Sequence, residues 1–580
     1  MSTLQSDELQ QEAMAPPNGN GKSRAALVIG AGIAGIQTAL DIAEAGYEVY
    51  LVERSSSIGG RMSQLDKTFP TLDCSSCILT PKMSDVARQP NIHLLTTTEL
   101  VSIAGETGAF QVTLERQPRY VDVESCTGCG LCSDVCPVVI PSEFNTGLDS
   151  HKAIYRRFPQ AIPAAFIIEK KPSPCKSACP AHIPVQGYVA LIAQGKFKES
   201  LELVRASGVP FVGTLGRVCY HPCETICKRA DWDEPLSICG LKRFAYDAGI
   251  AEDNPQPLPA QWEERVAIVG AGPAGMTTAY ELVRRGYQVT VFDALPVAGG
   301  MLAAGIPEYR LPRAVLNHEI DYICKLGVEI RLNTPVGRDG GPSLDDLRRE
   351  YGAVFLAVGA HGSSRLNVPG EDLPGVFQAV PFLRHLNIGH SVEIGKRVAV
   401  IGGGNSAIDA ARCALRLGSQ VTILYRRSRA EMPAAAYEVD AAEAEGVQLN
   451  FLVAPVRVLE KGGRVDGIEC IRMALGEPDA SGRRRPVPIE GSEFTVEVDT
   501  VIAAIGQTVE SEGIGVETKW DRLVADPVTL ETSVPGVFAG GDAVLGAASV
   551  VEAVGAGIDA AESIHRFLRK SDLREGRRTT

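Results

Sequence analysis

One glycine-rich pattern occurs twice in this chain, and the second copy lies 240 residues after the first (30 to 270, 53 to 293, 59 to 299). In each copy a short apolar run precedes Gly-x-Gly-x-x-Gly, helical periodicity follows, and an acid stands 23 positions after the first glycine. Glycines let a pyrophosphate approach the backbone, the helix N-terminus faces its charge, and the acid accepts hydrogen bonds from ribose hydroxyls. The pattern predicts two Rossmann-type dinucleotide sites, at Gly30, Gly32, Gly35 and Glu53, and at Gly270, Gly272, Gly275 and Asp293.

A third glycine-rich loop, Gly402-Gly-Gly404-Asn-Ser-Ala407, differs at the acidic position. The residue 23 positions after Gly402 is Tyr425, and Arg426 and Arg427 follow it. Two guanidinium groups in place of a carboxylate favour an adenosine 2′-phosphate, and hence NADP over NAD. The alternative is a solvated pair of surface arginines.

A flavin fold of this type is discontinuous in sequence, and Gly540-Gly541-Asp542 after the apolar Val537-Phe-Ala539 fits its closing segment. The predicted order is an FAD loop at residue 270, an inserted NADP domain, and FAD closure at residue 541. Two flavin-type openings therefore share one visible closing Gly-Asp.

The run Cys126-x-x-Cys129-x-x-Cys132-x-x-x-Cys136-Pro137 has the spacing of a ferredoxin-type 4Fe-4S cluster. Nicotinamide gives up two electrons as hydride, iron–sulfur clusters pass single electrons, and a flavin does both. A chain with all three kinds of site is predicted to convert between hydride and one-electron chemistry.

A second cysteine group lies between the two dinucleotide loops and predicts at least one further cluster, with a zinc site as the alternative. Cys74-Ser-Ser-Cys77 is a separate CxxC for which a ligand pair is preferred over a redox dithiol or two unrelated thiols. Cys324, Cys413 and Cys470 stand alone in patterned segments and are expected in the core. The members of the second group are Cys175, Cys179, Cys219, Cys223, Cys227 and Cys239.

The length, net charge, apolar runs and cysteine content limit which class of protein this chain can be. At 580 residues the chain needs several domains, and its net charge of −13 argues against nucleic acid as a partner. No apolar run is long enough to cross a bilayer, and residues 1–24 are polar, as expected for a disordered tail. Twelve of the fifteen cysteines lie in clusters before residue 240, which is typical of metal ligands in a reducing compartment, so a cytoplasmic protein is expected.

From about Trp262 onward the chain resembles the small subunit of NADPH-dependent glutamate synthase, and dihydropyrimidine dehydrogenase has a similar module. The matching motifs are Gly270–Gly275, Gly299-Gly-Met301, Gly305-Ile-Pro-Glu-Tyr-Arg-Leu-Pro312, Gly402–Ala407, Tyr425-Arg-Arg427 with Glu431-Met-Pro433, and Ala539-Gly-Gly-Asp542. The resemblance implies FAD at Gly270, Gly272, Gly275, Asp293, Gly300, Met301, Arg310, Gly541 and Asp542. It implies NADPH at Gly402, Gly404, Asn405, Ser406, Arg426, Arg427 and Arg429.

Residues 172–262 resemble the helical double-cluster domain of the same families, which implies cluster ligands at Cys175, Cys179, Cys219, Cys223 and Cys227. The CxxC that those families place upstream is missing, because Lys170-Lys-Pro-Ser173 stands there. Alternatively, Cys175 and Cys179 complete the set begun at Cys126.

Residues 25 to about 170 resemble the amino-terminal half of the flavin-binding subunit of heterodisulfide reductase. The resemblance is carried by Ile58-Gly-Gly-Arg-Met62, Asp73-Cys-Ser-Ser-Cys-Ile-Leu79, Pro81-Lys-Met83 and the Cys126 run. The flavin domain of that family continues after its ferredoxin insert, and here it does not. The first flavin site is therefore completed by a partner chain, which is preferred, or no longer binds FAD.

The predicted fold is α/β: tandem Rossmann-type FAD and NADP domains, a helical iron–sulfur domain, a ferredoxin-like insert and an additional amino-terminal partial FAD-type Rossmann unit. The predicted boundaries are a tail at 1–24, the partial Rossmann unit at 25–120, the 4Fe-4S segment at 121–171, the helical domain at 172–262, the FAD domain at 263–390 and 506–580, and the NADP domain at 391–505.

The predicted function is an NAD(P)H-dependent iron–sulfur flavoprotein oxidoreductase that exchanges electrons with other electron-transfer subunits or ferredoxin in a hetero-oligomer. No catalytic side chain is predicted, because the cofactors hold the chemistry. The alternatives are a glutamate synthase small subunit, an assembly subunit with a silent nicotinamide site, and a pure disulfide reductase.

Overall fold

The computed structural model describes residues 25–136, 138–142, 148–169, 173–338, 340–479, 482–575 and 577. The predicted tail at 1–24, Pro137 of the cysteine run, and residues 170–172 at a predicted domain boundary lie outside them. The chain forms two compact units, Met1–Lys171 and Pro172–Thr580.

The first unit contains a parallel three-stranded sheet in the order β1-β2-β5. Ala25 pairs with Glu48, and Val49 pairs with Ile92. Its core packs residues such as Ile36, Leu51 and Met83 between sheet and helices. The strands are β1 (Ala25–Ile29), β2 (Glu48–Glu53), β3 (Lys67–Thr68), β4 (Asp73–Cys74), β5 (Ile92–Thr96), β6 (Thr98–Ala104), β7 (Gln111–Arg116), β8 (Val139–Pro141), β9 (Ser150–Lys152), β10 (Ile154–Tyr155) and β11 (Ile167–Ile168), and the helices are α1 (Ile33–Glu44), α2 (Ser75–Arg88) and α3 (Leu131–Asp134).

The second unit begins with the short helices of the cysteine-rich segment, which share one hydrophobic core with the Rossmann domain that follows. The Tyr280 hydroxyl donates to the Arg205 carbonyl (3.0 Å), and the buried Glu319 carboxylate accepts from the Gly213 and Thr214 amides. The cysteine-rich segment is therefore not a separate core. Its helices are α4 (Pro174–Ser177), α5 (Val185–Ala193), α6 (Phe197–Ala206), α7 (Val212–Val218), α8 (Pro222–Thr225) and α9 (Ile238–Gly249).

The FAD-type domain has a parallel sheet in the order β14-β13-β12-β15-β29. Its central strand β12 is paired on both sides, with Ala267 between Thr290 and Val354, and is buried on both faces. Its elements are β12 (Arg265–Val269), α10 (Pro273–Arg284), β13 (Gln288–Phe292), α11 (Met301–Ala304), α12 (Arg313–Lys325), β14 (Glu329–Arg331), α13 (Leu344–Glu350), β15 (Ala353–Leu356) and β16 (Gly362–Ser363), and after the inserted domain β26 (Gln507–Thr508), β27 (Thr518–Lys519), β28 (Arg522–Leu523), β29 (Val537–Ala539), α17 (Asp542–Leu545) and α18 (Val550–Leu568).

The inserted domain has its own parallel sheet, in the order β17-β25-β18-β19-β20, and an antiparallel sheet of β21 to β24. The third glycine loop follows β18, as the Rossmann pattern requires. The elements are β17 (Val376–Gln378), α14 (Ala379–Asn387), β18 (Arg397–Ile401), α15 (Asn405–Arg416), β19 (Gln420–Tyr425), α16 (Ala436–Glu445), β20 (Gln448–Phe451), β21 (Val453–Lys461), β22 (Arg464–Pro478), β23 (Arg484–Pro488), β24 (Phe494–Val496) and β25 (Thr500–Ala503).

Candidate functional site

The turn between β12 and α10 has the close packing that a pyrophosphate-binding loop needs. Gly270 has a φ of +107°, and a Cβ on Gly275 would lie 2.0 Å from the Gly270 carbonyl oxygen. A Cβ on Gly300 would lie 2.8 Å from the Gly272 Cα. These glycines are therefore required by close backbone approaches, and the space above the loop is open to a ligand.

Asp293, at the end of β13, receives the Ala271 amide on one carboxylate oxygen (2.6 Å) and the Leu295 amide on the other (2.8 Å). Burial raises the pKa of Asp293. The two amides fix the carboxylate beside the glycine loop and leave each oxygen a lone pair for a ribose hydroxyl.

The predicted closing segment and the Gly270 loop line one cavity, whose wall includes Gly270, Asp293, Gly541 and Asp542. Strand β29 leads through Gly541, whose φ is +64°, to Asp542 at the start of α17. Burial raises the pKa of Asp542 to about 6, and its carboxylate accepts from the Ala548 amide (3.3 Å). The FAD-type opening and closing segments, 272 residues apart, are thus brought together (270 to 542).

The residues that directly follow the glycines of the third loop line this cavity as well. Gly402 has a φ of +141°, and a Cβ there would lie 2.2 Å from the Ala504 carbonyl oxygen. Asn405 and Ser406, at the start of α15, line the cavity together with Gly270 and Asp293. The Asn405 amide oxygen also accepts from the Ala435 amide (3.2 Å), which ties the glycine loop to the loop after β19.

The three predicted NADPH arginines have different environments. Arg427 is buried, pairs with Asp479 (2.5 Å) and donates to the Arg484 carbonyl (2.9 Å). Arg429 is exposed and pairs with Asp440 and Glu443 (2.6 Å each). Within the described residues the exposed Arg426 has neither an ion pair nor a hydrogen bond, so its guanidinium is free for an anionic ligand.

Met301 and Arg310 line the cavity, and Arg310 also joins two domains. Its guanidinium pairs with Asp409 on α15 (2.7 Å) and Glu438 on α16 (3.0 Å). Burial raises the pKa of Asp409 to about 6, and the charge of Arg310 opposes that shift. The role of Arg310 toward FAD stays a prediction.

Sequence reasoning missed several residues that line the cavity. Val218 and Tyr220, which flank Cys219, belong to its wall, so the cysteine-rich segment reaches the dinucleotide loops. His361 also lines it, and burial lowers the pKa of His361 to about 4. The signal available in the sequence for Tyr220 was its position next to a predicted ligand.

Several cysteines of the helical segment are close enough to influence one another: Cys179 and Cys219 act electrostatically on Cys223, and Cys219 acts on Cys239. Cys179, Cys219 and Cys223 are buried in the hydrophobic core, and Cys175, Cys227 and Cys239 are partly buried against the same core. Burial raises the pKa of the Cys223 thiol to about 12 and that of Cys239 to about 11, and the Lys242 ammonium opposes both shifts. Buried thiols beside a buried cation fit a negatively charged iron–sulfur cluster.

Cys126, Cys129, Cys132 and Cys136 lie at the surface of the first unit, around the short helix α3. The Leu131 amide lowers the pKa of Cys129, and the Ile154 amide lowers that of Cys136. Among the described residues, no three His, Cys, Asp or Glu side chains converge on a single metal ion. A 4Fe-4S cluster does not require such convergence, because each of its four thiolate ligands binds a different iron.

The first dinucleotide loop repeats the geometry of the second. A Cβ on Gly35 would lie 1.9 Å from the Gly30 carbonyl oxygen, and one on Gly60 would lie 3.1 Å from the Gly32 Cα. Glu53 accepts from the Ala31 amide (2.8 Å), as Asp293 does from Ala271. In the described part of this unit, however, β1 pairs only with β2, whereas β12 is followed on its other side by β15 and β29.

Cys74 and Cys77 lie exposed at the N-terminus of α2. The Cys74 sulfur accepts from the Cys77 amide (3.4 Å), and the hydrogen bond from the Cys77 thiol lowers the pKa of Cys74.

Comparison with known proteins identifies the second unit. Residues 264–557 match the family described as pyridine nucleotide-disulphide oxidoreductase, and this match spans just over half of the chain. The chain belongs to this family. Residues 164–254 of the oxidoreductase match dihydropyrimidine dehydrogenase domain II with its 4Fe-4S cluster, residues 28–89 an NAD(P)-binding Rossmann-like domain, and residues 119–142 a 4Fe-4S binding domain.

Individual relatives agree with these matches. The oxidoreductase is 50% identical to the NADP(+)-dependent formate dehydrogenase subunit beta of Moorella thermoacetica, over 71% of this chain and 62% of that protein. It is 46% identical to the NADPH-Fe(3+) oxidoreductase subunit beta of Geobacter sulfurreducens, over 70% and 65%. It is 37% identical to the glutamate synthase [NADPH] small chain of Escherichia coli, over 68% and 88%. The chain thus spans less than two thirds of the first two relatives.

These findings confirm the expected α/β fold, the oxidoreductase class, and the cofactor set of FAD, NADPH and 4Fe-4S clusters. They also confirm the likeness to the glutamate synthase small chain. The likeness of the first unit to the flavin-binding subunit of heterodisulfide reductase stays a prediction, as do the individual ligand residues. No helix of the described residues combines the length and apolar character needed to span a bilayer.

Proposed function

We propose that this oxidoreductase takes electrons from NADPH in the second unit and passes them singly to clusters that serve a partner protein, in the cytoplasm. The proposal is supported chiefly by one cavity that two dinucleotide loops and the cysteine-rich segment share. It is lined by Asn405 and Ser406 of the nicotinamide-type loop, by Gly270 and Asp293 of the flavin-type loop, and by Tyr220 beside Cys219.

The residues of this chain bind and orient, and no side chain is assigned an acid or base role. Arg426 binds the 2′-phosphate of NADPH, and Asp293 holds the ribose of FAD in the cavity. When bound, FAD supplies the conversion between hydride and single-electron chemistry. Cys219 and the thiols around it would hold a 4Fe-4S cluster, which would accept single electrons, and Tyr220 beside Cys219 belongs to the cavity wall.

The partner is proposed to be an electron-transfer protein of the heterodisulfide-reductase kind or a ferredoxin. Two of the relatives are named as beta subunits of NADP- or NADPH-dependent enzymes, which supports a hetero-oligomer. The first dinucleotide loop lies on a sheet whose edge strand, among the residues that the structure describes, is β1, and this supports a partner chain that completes that site.

Anaerobic titration of the purified protein with NADPH tests the proposal, with iron, sulfide and flavin quantified on the same sample. We expect the flavin absorbance to bleach and cluster signals to appear in electron paramagnetic resonance (EPR). NADH at equal concentration is the control and should act more weakly. An unchanged flavin spectrum with NADPH would exclude the proposed electron donor.

A glutamate synthase small subunit is the second candidate, supported by the match that spans 88% of the Escherichia coli small chain. Addition of a glutamate synthase large subunit decides between the two. NADPH-dependent glutamate formation would favour this candidate, whereas reduction of ferredoxin without glutamate formation would favour the first.

A further inference from the structure

Cys239 lies near the buried thiols of the helical segment and interacts electrostatically with Cys219. Its spacing in the sequence did not single it out as a cluster ligand. Its amide donates to a Glu224 carboxylate oxygen (2.7 Å), and Glu224 directly follows Cys223. Its sulfur lies 3.4 Å from the Leu215 carbonyl oxygen, on the helix that leads to Cys219. These two contacts tie Cys239 to the segments that carry Cys223 and Cys219.

Helix packing fixes this position. A Cβ on Gly216 would lie 2.6 Å from the Arg243 Cα, so α7 and α9 approach as closely as a glycine permits. The buried Tyr188 hydroxyl donates to the Ile238 carbonyl (2.8 Å) and holds the first turn of α9. This packing therefore holds Cys239 close to α7, the helix that leads to Cys219.

Lys242 is one turn further along α9 and is 4% exposed. Within the described residues its ammonium forms no ion pair and no hydrogen bond. Its charge acts on the thiols of Cys219, Cys223 and Cys239. The nearby Glu224 carboxylate instead pairs with His221 (3.2 Å). A buried cation without a partner is costly unless a negative group lies beside it.

We infer that Cys239 is a ligand of the cluster held by Cys179, Cys219 and Cys223, and that Lys242 is the charge partner that raises its reduction potential. Four thiolates outweigh the positive charge of a 4Fe-4S core, so the cluster is the anion that Lys242 lacks. A positive charge nearby stabilises the reduced, more negative state.

This inference rests on the iron–sulfur part of the proposed function and is tested on the full chain, purified anaerobically. Cys239→Ala should lose iron and sulfide equivalent to one cluster, and one EPR signal, with flavin content unchanged. Cys324→Ala, a half-buried cysteine elsewhere in the same unit, is the matched control and should keep all of them. Wild-type iron content in Cys239→Ala would overturn the ligand assignment.

Lys242 gives a second, independent readout. In an EPR-monitored redox titration, Lys242→Met should shift the signal that Cys239→Ala loses to a more negative potential, and Lys242→Arg should shift it less. Equal potentials of every cluster signal in wild type and Lys242→Met would overturn the charge role. If Cys239→Ala fails to fold, Cys239→Ser replaces it, and an unchanged set of EPR signals in that variant would overturn the ligand assignment. Flavin bleaching by NADPH is measured in parallel, so a failure of the proposed function would be seen separately.

Discussion

Three arginines in the loop after β19 show how neighbouring residues of one type acquire different roles. Arg427 is buried, and its guanidinium is already bound by the Asp479 carboxylate and the Arg484 carbonyl. Arg429 is paired at the surface of α16. Only Arg426 keeps its guanidinium free within the described chain.

Arg426→Ala should raise the KM for NADPH about tenfold, since a hydrogen bond to a charged group contributes roughly 1.5 kcal/mol or more. The KM for NADH should stay unchanged. Arg427→Ala should lower the melting temperature and affect both cofactors alike, and Arg429→Ala should do little to either. Steady-state kinetics with both cofactors check this, and an equal effect of Arg426→Ala on NADH would contradict it.

His361 is a half-buried imidazole in the wall of the cavity. Arg384 donates to its Nδ1 (3.1 Å), and burial, then Arg384, lower its pKa from 6.5 to about 4. Glu510 and Arg338 also act on it, in opposite directions. Because the folded pKa lies below the unfolded one, the stabilisation is present above pH 6.5 and is lost as the pH falls toward 4.

Between pH 7 and pH 5 the wild-type free energy of unfolding should therefore fall by about 2 kcal/mol more than that of His361→Asn. The asparagine amide can still accept from Arg384 but does not titrate. Urea unfolding at the two pH values measures the difference. Parallel pH profiles of the two proteins would show that His361 is not the titrating group.

At the scale of elements, Tyr309 and Arg310 connect the FAD-type domain to helices α15 and α16 of the inserted domain. Arg310 pairs with Asp409 and Glu438, and Glu438 also pairs with Arg412 (2.7 Å). The Arg416 guanidinium lies 3.9 Å from the centre of the Tyr309 ring. Both carboxylates and Arg412 are buried, so the network holds the two dinucleotide loops at one cavity.

Arg310→Met should lower the free energy of unfolding by about 3 kcal/mol, because it leaves the buried Asp409 carboxylate without its ion-pair partner. The double variant Arg310→Met/Asp409→Asn should recover part of that loss. Denaturant unfolding of Arg310→Met, Asp409→Asn and the double variant gives the comparison, with Arg310→Lys as the conservative control. If the two single changes, Arg310→Met and Asp409→Asn, are additive in the double variant, the two residues are not coupled.

At the scale of the whole molecule, the chain divides between a unit with one dinucleotide loop and the Cys126 run and a unit with two such loops and the buried cysteines. The second unit contains the shared cavity and its own continuous cores. The residues proposed to bind NADPH and FAD at that cavity all belong to the second unit.

A chain reduced to residues 173–580 should fold, bind FAD and show the same bleaching by NADPH as the full protein. Its iron content should be lower by the cluster assigned to Cys126, Cys129, Cys132 and Cys136. Flavin, iron and sulfide analysis of both chains tests this. Loss of flavin from the shorter chain would show that the first unit is needed for the second to fold.

The sequence alone determined which short segments can bind a dinucleotide or a cluster. Glycines that permit close backbone approach, and cysteines at ligand spacing, are close together in the sequence. Gly270, Gly275 and Asp293, and strand β29, all follow from such patterns. Tertiary structure decided which groups meet across long separations. No local period in the sequence encodes how helices and sheets pack. That packing decides where Cys239 and Lys242 lie relative to Cys219, whether Tyr220 reaches the cavity wall, and whether Arg427 is buried.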